Sequence, residues 1–188
     1  MQTVSKHALD LIKSFESLRL KAYHGAADRE GIYTIGYGHV ITGYEQPDLF
    51  LVGQMMKDVS ITQNRANDLL EEDVDKMTRG VVLRLGKDNK ERMTEDQLGA
   101  LVSLAFNIGL GNFSKSTICE TIRNGGTIEE AAVFFKSWVR ANGVVVNGLI
   151  RRRAAEKALF LGDLDSMDFF LSNYSSAVMT KARKYLGI

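Results

Sequence analysis

Residues 15–39 read FESLRLKAYHGAADREGIYTIGYGH, and a change of periodicity inside this stretch decides the fold. Just upstream, Val4, Ala8, Leu11, Ile12 and Phe15 fall at helical spacing and give residues 4–15 one apolar face. Glu16 follows the last of them, at the C-terminal end of the predicted helix, where a carboxyl meets the negative end of the helix dipole. From Ala22 to about Gly43 the pattern is different. Gly25, Gly31, Gly36, Gly38 and Gly43 break any helix, while Ile32, Tyr33, Thr34, Ile35 and Tyr37 favour strands. The expectation is a small twisted antiparallel sheet, with glycines where backbone bends or is closely approached. Residues 44–60 hold the single proline, Pro47, and read as a loop with one short helix.

Beyond this point the chain reads as helical. Ser60 with Gln63 predicts a capping box for a long helix whose apolar stripe is Ala66, Leu69, Leu70, Val74, Met77 and Val81. Thr94 with Gln97 predicts a second box, ahead of LGALVSLAFNIG, which is apolar nearly all round and reads as a buried central helix. Thr127 with Glu130 predicts a third, before Ala131, Phe134, Phe135 and Trp138. A glycine-punctuated turn, ANGVVVNG, leads into the helix of RRRAAEKALF, and residues 163–188 read as one or two further helices packed on the body. The fold class is α+β and mostly helical.

Composition narrows the function classes. The chain has 188 residues, 45% apolar and 25% charged, with a net charge of +1. That length suits one domain, or one domain with two lobes. The charge balance gives no electrostatic case for nucleic acid, whose binders carry a basic face and a high pI. One cysteine, Cys119, excludes an internal disulfide framework; set in STICETI, it reads as a small buried hydrophobe. One Cys and three scattered His make no metal-ligand spacing, so neither a metal nor another cofactor is expected. The N-terminus shows no continuous apolar segment of the signal-peptide kind, and no apolar run reaches membrane-spanning length.

A partly buried carboxyl with few cations nearby stays protonated near neutral pH, which is what a general acid needs to protonate a glycosidic oxygen. Position alone leaves Glu16 open between that role and a solvated helix end. The motif settles on the first. Glu16, Leu20, Tyr23, a downstream acid and then Thr34-Ile35-Gly36-Tyr37-Gly38-His39 resemble the active-site segment of the phage-type lysozymes, the muramidases of glycoside hydrolase family 24. ITQNRANDLLEEDV, DQLGALVSLAFNIGLGNFSKST and GLIRRRAAEKALF continue the resemblance over about residues 5–162, leaving residues 163–188 outside it.

The resemblance implies a lysozyme-like two-lobed fold: a sheet lobe over about 17–60, a connecting helix over about 62–82, and a helical lobe over about 83–162 that includes the N-terminal helix. It implies hydrolysis of the β-1,4 bond between N-acetylmuramic acid and N-acetylglucosamine, with inversion. Glu16 matches the general acid and Thr34 the hydroxyl that helps hold the attacking water. The family aspartate lies six positions before that threonine, which is Asp28 here; counted from Glu16 it falls on Gly25, so the chain carries a three-residue insertion within HGAA. Asp28 keeps the spacing to the strand, with Glu30 and His24 as the other candidates. Tyr37, Asn107, Ser116 and Thr117 match sugar-cleft positions, and Arg153, in the run Arg151–Arg153, matches a charge partner of the catalytic glutamate. Otherwise that run reads as a solvated face, and His39 as a structural histidine bonded to backbone. The partner implied is peptidoglycan. The role is that of a monomeric endolysin made in the cytoplasm, released by a holin and acting on the periplasmic wall. A catalytically weak wall-binding or interaction module and a secreted antibacterial effector are the alternatives.

Overall fold

The computed structural model describes residues 4–24, 32–41 and 55–188. They divide into two compact units, one of residues 13–74 and one of residues 1–12 with 75–188.

The first unit is built on a three-stranded antiparallel sheet in the order β1 (Arg19–Tyr23), β2 (Tyr33–Gly36), β3 (His39–Ile41). It begins three residues earlier than the sequence suggested. The β2–β3 turn explains the glycines of TIGYGH. Ile35 pairs with His39, so Gly36-Tyr37-Gly38 must reverse the chain, and both glycines sit at positive φ (66° and 95°), open to glycine at little cost. Side chains alternate across the pleat. Ile35 joins Ala22, Ile41, Val59 and Leu69 in a small core, with Tyr33 and Ile61 against it.

The predicted Ser60–Gln63 capping box is not what starts the long helix. Ala22 N–H donates to the Val59 carbonyl and Ile61 N–H to that of Leu20, and Ser60 forms a bridge with Lys21. Residues 59–61 are thus held as a fourth extended segment beside β1, and a helix cannot begin there. It begins two residues on, as α2 (Gln63–Leu85), where the Thr62 hydroxyl accepts from Arg65 N–H.

The second unit is helical. Its N-terminal part takes residues of α1 (Lys6–Phe15), which buries Ala8, Leu11 and Ile12. After α3 (Lys87–Glu91) comes α4 (Glu95–Ile108), opened by the Thr94–Gln97 capping box and buried without a break from Leu98 to Ala105. Gly99 lets it approach α1, since a Cβ there would collide with Ala8. Short helices α5 (Leu110–Ser114), α6 (Thr117–Arg123) and α7 (Ile128–Ala132) follow, α7 opened by the Thr127–Glu130 box. The stretch expected to continue that helix tightens into a 3₁₀ turn over Val133–Trp138. ANGVVVNG, read as a turn, forms a hairpin of β4 (Arg140–Ala141) and β5 (Val144–Val145), with Asn142 and Gly143 both at positive φ (49° and 79°), as a two-residue hairpin loop demands.

α8 (Asn147–Leu161) packs on α4, and α9 (Leu164–Ser172) and α10 (Ser176–Leu186) both pack on α8. Cys119 is fully buried; burial pushes its thiol up against the opposing pull of Arg123 and Arg84. A polar clamp fastens the C-terminal helices. The Asp163 carboxylate caps α9 through Ser166 N–H and accepts from the Tyr185 hydroxyl at 2.9 Å, while Lys157 Nζ donates to the Tyr185 carbonyl. Burial alone would raise Asp163, but the hydrogen bonds from Ser166 and Tyr185 and the charge of Lys181 hold it below the usual carboxylate range. Burial, then the bond to Asp163, push the Tyr185 phenol far up.

The signs give a pH window. A carboxylate held low contributes stability above its unfolded value, about 3.9, that is lost as pH falls through its folded one. A phenol held high contributes below its unfolded value, about 10, and loses that contribution as pH rises. Tyr185→Phe is expected to lower stability by about 1 kcal/mol at pH 7 and to flatten both flanks of the stability–pH curve, as read by urea denaturation. A wild-type-shaped curve in the variant would show that the clamp contributes nothing.

Candidate active site

Glu16 is the first residue after α1, and it is half-buried where the chain turns into β1. The apolar face of α1 fixes this position: Leu11 and Ile12 are fully buried, so the end of the helix is anchored one turn before the carboxyl. Thr34 lies on the central strand, opposite Tyr23 of β1 and Val40 of β3. It is only 7% exposed, on the face of the sheet away from Ile35. Glu16 and Thr34 therefore belong to the same compact unit.

Asp28 and Glu30 lie outside the described residues, but both ends of their segment are described. His24 Nδ1 is 2.9 Å from the Ile32 carbonyl oxygen. A carbonyl only accepts, so Nδ1 carries the proton. The imidazole ties the end of β1 to the residue before β2, and its ring stands 6.1 Å from that of Tyr33. The bond fastens together the two described residues that flank the 25–31 segment, and His24 is a strut between them.

His39 is 5% exposed, and its Nδ1 meets Asp73 Oδ2 at 2.7 Å. The sequence reading had it as a structural histidine bonded to backbone; its Nδ1 bonds to a carboxylate of α2, which joins the sheet to the helix beside it. Tyr37 is half-buried at the tip of the β2–β3 turn.

The remaining sequence-predicted residues lie in the helical unit. The arginine run is not a solvated face: Arg152 is 3% exposed and Arg153 fully buried. Both reach Glu156, itself fully buried, Arg152 through Nε at 3.1 Å and Arg153 through Nε at 2.7 Å. Glu156 also accepts from Ser103 Oγ at 2.7 Å, and Arg152 donates to the Ser103 carbonyl. The solvated reading fails because a buried carboxylate requires cations within reach, and α8 supplies them three and four residues before it. Arg153 Nη2 donates to Asn107 Oδ1 at 3.1 Å. Ser116 caps α6, its Oγ accepting from Cys119 N–H and donating to the Phe113 carbonyl; Thr117 is the exposed first residue of that helix. Among the described residues no group of three or more His, Cys, Asp or Glu could hold a metal ion, and no helix is long and apolar enough to cross a membrane.

Sequence reasoning missed Asp73, Ser103 and Glu156. Ser103 and Asn107 carried a signal, being the two polar residues of an otherwise apolar segment and four apart, hence on one face. Asp73 carried none, since an acid on an amphipathic helix looks like any solvated one. Asp73→Asn is expected to cost about 1.5–3 kcal/mol, the scale of a hydrogen bond to a charged group, and His39→Asn about the same. The double variant should cost far less than the sum of the two; additive losses by chemical denaturation would mean that the pair does not couple.

The phage lysozyme family model matches residues 13–156. The endolysin of Bacillus phage PZA is 40% identical over 157 residues, which cover 84% of this chain and 54% of that protein. This chain thus spans about half the length of that relative. The endolysin of Acyrthosiphon pisum secondary endosymbiont phage 1 is 38% identical over 161 residues, covering 84% of this chain and 97% of that one. Among solved structures, the muramidase domain of SpmX from Asticaccaulis excentricus matches with a TM-score of 0.66 at 32% identity, over 85% of this chain and 97% of that chain. The mostly helical architecture with a small three-stranded antiparallel sheet is the lysozyme fold, and the chain belongs to the phage lysozyme family.

Proposed function

We propose that the chain is a muramidase, hydrolysing the β-1,4 bond between N-acetylmuramic acid and N-acetylglucosamine in peptidoglycan. The observation that carries this reading is the common setting of Glu16 and Thr34: one leaves a buried helix face, the other sits on the central strand of the same compact unit, within the segment that matches the family. Glu16 donates its proton to the bridging oxygen. Thr34 holds the attacking water, and Asp28 activates or orients it from the opposite sugar face. Glu30 is the alternative second carboxylate. Inversion is the outcome proposed; it requires a carboxyl separation of roughly 6.5–9.5 Å, which leaves room for that water. Tyr37, Asn107, Ser116 and Thr117 are assigned to the saccharide, and Arg153 to the electrostatics of Glu16. As an endolysin the protein works as a monomer on the periplasmic wall in host lysis, after a holin has opened the way.

Two substitutions test this. Glu16→Gln removes the proton donor with little change of shape and is expected to lower reducing-end release from purified sacculi by at least about 10²-fold, the usual contribution of a general acid; full activity in that variant would sink the assignment. His24→Ala frees the ends of the 25–31 segment, and its expected effect is a lower kcat at an unchanged melting temperature. An unchanged kcat would mean that the second carboxylate does not depend on that strut.

A further inference from the structure

The helical unit contains a feature that stability alone does not explain. Glu156, Arg153 and Arg152 are nearly inaccessible, and a buried ionic cluster is often no more stabilising than apolar packing of similar volume. This cluster ends at the surface. Ser103 Oγ and Arg152 Nε hold Glu156 Oε1 on one side. Arg153 brings Nη2 to within 2.9 Å of the same oxygen, and the same Nη2 donates at 3.1 Å to Oδ1 of Asn107, an exposed residue in the last turn of α4.

That last bond fixes an orientation. A guanidinium has only donors, so the Asn107 atom facing Arg153 must be the carbonyl oxygen, and the amide NH2 is turned away from the cluster. Without Arg153 the amide could flip and present either end. With Arg153 held by Glu156, the exposed end is a hydrogen-bond donor. We infer that Glu156 is a positioning residue: through Arg153 it locks the Asn107 side chain as a donor for a carbonyl oxygen of the N-acetylated glycan. A carbonyl accepts and never donates, so it matches a fixed NH2 better than a hydroxyl does. The inference rests on the muramidase reading for its ligand, and the fixed amide is what adds to it.

The test compares Asn107→Asp, Glu156→Gln and their combination, using the full chain and uncrosslinked glycan strands from purified sacculi, with kcat and KM determined separately. Asn107→Asp keeps the acceptor for Arg153, loses the donor and adds a negative charge beside the guanidinium. It is expected to melt at or above the wild-type temperature while KM rises about three- to tenfold, the range of one hydrogen bond, with kcat within about twofold. Glu156→Gln should raise KM similarly and add nothing further in the Asn107→Asp background. If Glu156→Gln does not fold, Glu156→Asp, which keeps the charge but draws it back by one methylene, is expected to show a smaller rise of the same kind. A KM within about twofold of wild type in Asn107→Asp, or independent effects in the double variant, would overturn the inference. Absence of glycan cleavage by the wild-type chain would instead count against the muramidase reading, and the same variants would then be compared by co-sedimentation with sacculi, where unchanged binding of Asn107→Asp again overturns the positioning role.

Discussion

A fully buried carboxylate organises the helical unit. Glu156 has no access to water, and removing the partner of a buried charge costs about 3–5 kcal/mol. Its partners must therefore be in place whenever the chain is folded. Two of them, Arg152 and Arg153, come from its own helix, and the third, Ser103, comes from the centre of α4. This sets α8 against α4 in one rotation and one register, in a way that Leu, Ala and Phe contacts would leave looser. The consequences run outward along α8. Phe160 stacks edge-on against Phe135 of the 3₁₀ turn, and α9 and α10 dock on the same helix, with Tyr185 and Lys157 fastening the final turn of α10.

The sheet unit solves a different problem, since a three-stranded sheet with so small a core cannot rely on apolar burial. It uses directed contacts instead. Two glycines at positive φ make the β2–β3 reversal, His39 bonds to Asp73 of α2, residues 59–61 pair with β1, and His24 bonds to the Ile32 carbonyl. Thr34 is one residue before Ile35, whose partner across the sheet is His39.

What could be read from the sequence follows from the range of the interactions involved. The helices announced themselves through apolar stripes and through the boxes at Thr94 and Thr127, because caps and periodicity are local. The Ser60 box was equally well formed as a sequence and lost to strand pairing with β1, a contact some forty residues away that no local rule weighs. ANGVVVNG contained an Asn-Gly hairpin signal, but its strands are two residues each, too short to show alternation. The arginine run misled because a block of cations suggests solvent; only the Glu three and four positions on, together with Ser103 of a different helix, turns it inward. Of the candidate site, the TIGYGH motif and the glutamate ahead of it pointed to Thr34 and Glu16, which lie in one compact unit. Asp73 and Glu156, which act through other residues, were not legible, since their partners are joined to them only by the fold.

As a muramidase, this member of the phage lysozyme family is proposed to cut glycan on the muramic acid side. Bond specificity is read by digesting purified sacculi, reducing the new ends with borohydride, and identifying the sugar alcohol released by acid hydrolysis. Cleavage between N-acetylmuramic acid and N-acetylglucosamine leaves muramic acid at the reducing end, so muramicitol is the expected product. Glucosaminitol in its place, or no sugar alcohol above the undigested control, would contradict it.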